Sequence, residues 1–72
     1  MPKLGRLQEI RTARLLSQRM LAERSRVSRP TIARLERGEE ARYETVWKLA
    51  DALGVEPQEL VGPRDEGSGR LD

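Results

Sequence analysis

The apolar residues of this 72-residue chain recur at spacings of three and four from Leu4 to Val61, and no stretch alternates apolar with polar residues as a strand would. That pattern predicts helices throughout. The first spans about Leu4 to Arg14 with Leu7, Ile10 and Ala13 inward; the fourth spans about Tyr43 to Leu53 with Val46, Leu49, Ala50 and Leu53 on one stripe. Three further segments open alike, with an apolar residue, a capping position, and a second apolar residue five places after the first. Leu16-Ser17…Leu21, Val27-Ser28…Ile32 and Val55-Glu56-Pro57…Leu60 thus place apolar groups at N′ and N4, the hydrophobic staple. Ser17 and Ser28 are good N-caps, and Pro57 suits the first helical position. Glu56 is a weak cap, so the last helix is expected to be short and frayed. Gly38 and Gly54 follow the third and fourth helices, where a left-handed residue commonly ends the coil. These readings give an all-α domain of five helices over residues 1–61. Residues 62–72, GPRDEGSGRLD, contain one apolar side chain and read as a disordered tail.

Composition narrows the function. The chain has no Cys and no His, which removes disulfides, the usual zinc ligands, a thiol nucleophile and an imidazole base, and points away from an enzyme. No metal or cofactor is expected. No apolar run approaches the ~20 residues of a membrane span, and the N-terminus lacks the apolar core of a signal peptide, so the expected location is the cytoplasm, with no membrane partner.

The net charge of +2 conceals two poles. Residues 1–38 hold ten basic and three acidic side chains, a net of +7; residues 39–72 hold four basic and nine acidic, a net of −5. Six of the basic residues fall between Arg19 and Arg37. Such a split arises on solvated helix faces, or as a basic working half carried on an acidic supporting half.

Only Ser25-Arg26-Val27 separates the second and third helices, a spacing suited to a helix-turn-helix. On a helical wheel the third helix turns Ile32 and Leu35 inward with Glu36 at their flank. Pro30, Ala33, Arg34 and Arg37 share the opposite face, with Arg29 at its edge. A short residue in the middle of a basic face lets a helix approach a DNA major groove ~12 Å wide.

In combination, Ser17-Gln18, Leu21-Ala22, Val27-Ser28, Ile32…Leu35-Glu36…Gly38 and Leu49-Ala50…Ala52-Leu53-Gly54-Val55 resemble the Cro and phage-repressor (xenobiotic-response-element) type of helix-turn-helix protein over about residues 4–61. The resemblance implies a compact five-helix repressor-like domain. It also implies a sequence-specific transcriptional regulator, a repressor, that reads the major groove with residues 28–37 as a dimer on a palindromic operator. Double-stranded DNA is the implied partner, in the nucleoid. Gln18 matches the glutamine that touches a phosphate and braces the recognition helix. Ser28, Arg29, Pro30, Thr31 and Arg34 match positions that meet base edges or adjacent phosphates, and Arg suits guanine O6 and N7. Arg29 and Arg34 either read bases or contact phosphate alone, and Thr31 either reaches DNA or lies in the helix wall. Arg19, Arg26, Arg37 and Arg42 complete the expected DNA-binding set. Glu36 with Arg11 resembles the family's internal salt bridge. The expected dimer surface lies on the fourth and fifth helices around Glu56 to Val61; Trp47, with Tyr43 one turn before it at the edge of the apolar stripe, is read first as core and second as part of that dimer surface. A second functional class is a protein-interaction module, such as an antitoxin with a toxin as partner, although an adaptor has no need of Arg29, Arg34 and Arg37 on that face.

Three departures from the family pattern carry physical consequences. Leu15 and Arg26 stand where relatives use Gly, so both turns are expected to be strained by ~1 kcal/mol or to take another conformation. Glu39 and Glu40 replace basic or polar residues and repel phosphate. Arg42 occupies a usual Ser cap, losing the cap while opposing the helix dipole.

Overall fold

In a computed structural model that describes residues 2–62, the chain forms α1 (Leu7–Ala13), α2 (Gln18–Ser25), α3 (Arg29–Glu36), α4 (Tyr43–Leu53) and α5 (Pro57–Leu60). The described residues contain no strand, only two isolated bridges, Lys3 with Glu40 and Leu4 with Gly62. Apart from Gly62, the expected tail lies outside the described residues. Gly62 itself belongs to the domain: its N–H donates to the Lys3 carbonyl at 3.2 Å and its carbonyl accepts from Gly5 N–H at 3.0 Å.

The staples hold as the pattern predicts. Leu16 and Leu21, Val27 and Ile32 are buried as pairs, and Leu60 is buried above a half-buried Val55. The Ser17 hydroxyl accepts from Met20 N–H at 3.0 Å and the Ser28 hydroxyl from Thr31 N–H at 3.3 Å, each satisfying a donor the helix start leaves open. At α5 a second residue assists the weak cap, because the Glu59 carboxylate accepts from Glu56 N–H at 2.9 Å. One core unites the elements: Leu4, Leu7, Leu21, Ile32, Leu49 and Leu60 are each buried to within 2% of fully covered.

Three expectations need correction. First, α1 starts at Leu7, not Leu4, since the Leu4 backbone is engaged beside Gly62 and its side chain enters the core from an extended segment. Second, Ala13 is exposed, and the inner face of α1 is Leu7 with Arg11, flanked by half-buried Ile10. At about 100° per residue Arg11 lies about 40° from Leu7, whereas Ala13 is about 120° away. Third, Trp47 and Tyr43 are not core: they are 64% and 71% exposed. The stripe of Val46, Leu49, Ala50 and Leu53 already covers the core, and Trp47 lies about 110° from its centre.

Both anticipated turns take the left-handed conformation. Leu15 has φ 59° and Arg26 has φ 64°, regions that cost a side chain about 1–2 kcal/mol and that Gly enters freely. Packing fixes them: Leu15 is followed by buried Leu16, and Arg26 is bracketed by buried Ser25 and Val27. The Ser25 hydroxyl accepts from Val27 N–H at 3.2 Å, so a short side-chain turn closes the link between α2 and α3.

Candidate nucleic-acid interface

The position of α3 is set by polar contacts as much as by apolar ones. Ile32 and Leu35 anchor its inner side, and Glu36 at its C-terminal end is gripped from two other helices. Arg11 of α1 donates through Nε at 2.6 Å and Nη2 at 3.1 Å to the two Glu36 oxygens, a bidentate pair. Its Nη1 donates at 2.7 Å to the Leu16 carbonyl, at the end of the turn out of α1. Gln18 of α2 donates through Nε2 at 2.9 Å to Glu36 Oε1. The Arg11 and Glu36 side chains keep only 10% and 5% of their exposure, so the charges are desolvated together and each depends on the other. The ion pair implied by the resemblance is therefore present, and Gln18 braces α3 through it.

On the outer side of α3 the polar groups form a chain. Ser28, at the N-cap, donates its hydroxyl hydrogen to Thr31 Oγ1 at 2.8 Å while accepting from Thr31 N–H. Arg34 donates through Nη2 to the same Thr31 oxygen at 3.4 Å, and its Nε lies 3.7 Å from Glu39 Oε1. Thr31 is half-buried, so it both belongs to the helix wall and carries the hydroxyl that joins Ser28 to Arg34. Thr31, Arg34, Glu39 and Arg42 border a shallow cleft of about 370 Å³ between α3 and the start of α4.

The remaining sequence-predicted residues are distributed around this centre. Arg29 and Pro30 are exposed in the first turn of α3, the Pro where its missing N–H costs nothing. Arg37 is the exposed C-cap of α3 and borders a separate hollow of about 540 Å³ with Lys3, Gly38 and Gly62. Arg26 is exposed at the left-handed end of α2, and Arg19 forms a surface pair with Glu23 at 3.6 Å. Arg42 begins α4 with no side-chain capping bond, as its substitution for Ser predicts. The structure thus links Ser28, Thr31 and Arg34 directly and sets Arg42 beside them. Arg19 and Arg26 belong to α2 and its C-cap, outside the chain of contacts that runs from Ser28 to Glu39. Sequence reasoning missed the bond between Glu39 and Arg34; their spacing of five residues across a Gly38 turn was the available signal.

What this arrangement offers chemically is a short, rigidly mounted helix that presents guanidinium and hydroxyl donors and no apolar side chain longer than Pro30 or Ala33. Among the described residues no cluster of His, Cys, Asp and Glu has the geometry to hold a metal ion, and no helix is long and apolar enough to cross a membrane.

Comparison with known proteins places this geometry. No curated protein matches the chain. Among solved structures it is similar to the restriction-modification controller protein C.AhdI of Aeromonas hydrophila, with 43% identity and a TM-score of 0.75 over 81% of this chain and 91% of that one. It is also similar to part of Streptomyces albus HEPD, whose structure holds 2-hydroxyethylphosphonate and Fe(II), with 33% identity and a TM-score of 0.77 over 89% of this chain but only 15% of that one. A helix-turn-helix family model matches residues 7–60, from the first residue of α1 to the last of α5. With its second and third helices joined through the Arg26 turn and an arginine-rich third helix held by Glu36, the chain belongs to the Cro/C1-type helix-turn-helix family and is a DNA-binding transcriptional regulator.

Proposed function

We propose that the protein is a sequence-specific regulator that binds a palindromic operator as a homodimer, lays α3 in the major groove of each half-site, and represses transcription by occupancy. The outer face of α3 carries this reading: Arg29, Arg34 and Arg37 are exposed on a helix whose buried face is fixed by a bidentate ion pair. Firm mounting matters because base reading requires donors held in place, whereas phosphate attraction alone does not. Arg29 and Arg34 are assigned to G·C pairs, and Arg19, Arg26, Arg37 and Arg42 to phosphates. Gln18, committed to Glu36 through its amide nitrogen, retains its carbonyl and one amide hydrogen, and the hydrogen serves a phosphate. The neighbour's role in restriction-modification control supports a regulatory rather than enzymatic role.

The dimer is assigned to α4 and α5. One recognition helix per chain gives too small a contact for tight specific binding. The exposed Tyr43 and Trp47 of α4, with Val61 after α5, supply apolar surface for an isologous contact. The fold's location is then the nucleoid of the cytoplasm.

Selection of bound sequences from random duplexes tests the proposal, with Arg29→Ala and Arg34→Ala compared with the unaltered chain. The expected wild-type pool is a palindrome with half-sites about one helical turn apart. Each Ala variant loses preference at one G·C pair per half-site, by about 5- to 150-fold per pair, the equivalent of ~1–3 kcal/mol. An unselective wild-type pool rejects the proposal.

A further inference from the structure

Glu39 is an anomaly on a DNA-binding surface: a carboxylate at the mouth of the cleft that also holds Arg34, where it repels phosphate. Three observations show that it is tied to Arg34. Its N–H donates at 3.2 Å to the Arg34 carbonyl, its carboxylate lies 3.7 Å from Arg34 Nε, and Gly38 makes the return possible by turning the chain at φ 109°. Thr31 Oγ1 takes the Arg34 Nη2 contact, and Thr31 is itself held by Ser28. Nε and Nη2 bound one edge of the guanidinium, and the two contacts fall on these two atoms. The terminal edge, Nη1 with Nη2, is then the bidentate edge left to donate end-on to guanine O6 and N7. We propose that Glu39, with Thr31, is a positioning residue for specificity: it occupies the side edge of Arg34 and presents the end-on edge to a guanine. The carboxylate sacrifices phosphate attraction to obtain that orientation, so it raises discrimination while lowering affinity for DNA at large. In water the pair is weak, since the two side chains are 50% and 58% exposed. Inside a groove that excludes water it strengthens, which is where the orientation is needed.

This inference rests on the base-reading role proposed above for Arg34, and the test separates the two. Dissociation constants are measured for the selected duplex and for duplexes altered one base pair at a time, using the unaltered protein, Glu39→Gln, Glu40→Gln, Arg34→Ala and the Arg34→Ala/Glu39→Gln pair. Glu39→Gln is expected to bind all duplexes more tightly, yet to lose about fivefold of its discrimination at the one pair whose preference Arg34→Ala abolishes. Glu40→Gln removes the same charge from the same loop and is expected to leave that discrimination unchanged. In the Arg34→Ala background, Glu39→Gln is expected to change affinity alone. Unchanged discrimination in Glu39→Gln, an equal loss at every position, or an equal effect in both backgrounds overturns the inference while leaving base reading intact. A wild-type protein that discriminates nowhere, or an Arg34→Ala variant that loses no preference, removes the reading on which the inference stands and overturns it as well.

Discussion

The helices α3 and α4 are held against the same core by opposite means. α3 has a Ser cap, only Ile32 and Leu35 as buried apolar residues, and a covered Glu36 carboxylate shared with Arg11 and Gln18. α4 has no side-chain cap but buries Val46, Leu49, Ala50 and Leu53. Apolar burial is forgiving of small shifts, because the hydrophobic effect has no direction. A bidentate ion pair is not, because both oxygens and both nitrogens must meet. The helix proposed above to read bases is thus fixed by directional bonds, and the helix that supports it is fixed by area.

Breaking the directional side is expected to give the largest effect. Glu36→Ala leaves Arg11 buried without its counter-charge and costs about 3–5 kcal/mol, a large share of what a domain of this size has, read as a drop in the thermal or urea midpoint. The Arg11→Met/Glu36→Leu double variant removes both charges and is expected to recover most of that loss in stability while remaining impaired in DNA binding. Full recovery of both would show that α3 needs no polar mount. On α4 the expected sign reverses. Arg42→Ser restores a cap and is expected to raise stability by ~1 kcal/mol while weakening DNA binding through one lost phosphate contact, seen as a salt dependence shallower by about one. Smallest for folding is Trp47→Ala, expected to change stability by no more than about 0.5 kcal/mol because the ring is mostly exposed, yet to weaken self-association in sedimentation. A large loss of stability with unchanged association would place the indole in the core's service instead.

Most of this asymmetry is legible in the sequence, and the gaps have physical reasons. The 3.6-residue rhythm gives α4 its bounds, because its stripe is apolar and continuous. Local devices that need only neighbouring residues, the Ser17 and Ser28 caps and the glycine ends, are equally readable. On the inner face of α1 apolar counting favours Ala13 over Arg11, and a buried arginine betrays itself only through a partner 25 residues away. Trp47 lies outside the core for the related reason that hydrophobicity says what prefers burial, not whether the core has room. Of the candidate interface, the arginines of α3 were readable from the wheel. The ion pair between Arg34 and Glu39 is not on the wheel, since it depends on a backbone reversal that only the Gly38 spacing signals.

The bonds joining the segment before α1 to the end of α5 bear on how the domain comes apart. Leu60 accepts from Arg6 N–H at 3.3 Å, and Gly62 exchanges bonds with Lys3 and Gly5. These contacts close a loop of nearly the whole domain, so the unfolded chain bears the full closure entropy before gaining any of them, a term that grows only as the logarithm of loop length. Neither end can then fray without releasing the other. The five short helices, none of them stable alone in water, become one cooperative unit whose third helix is lost or kept together with its first and last turns.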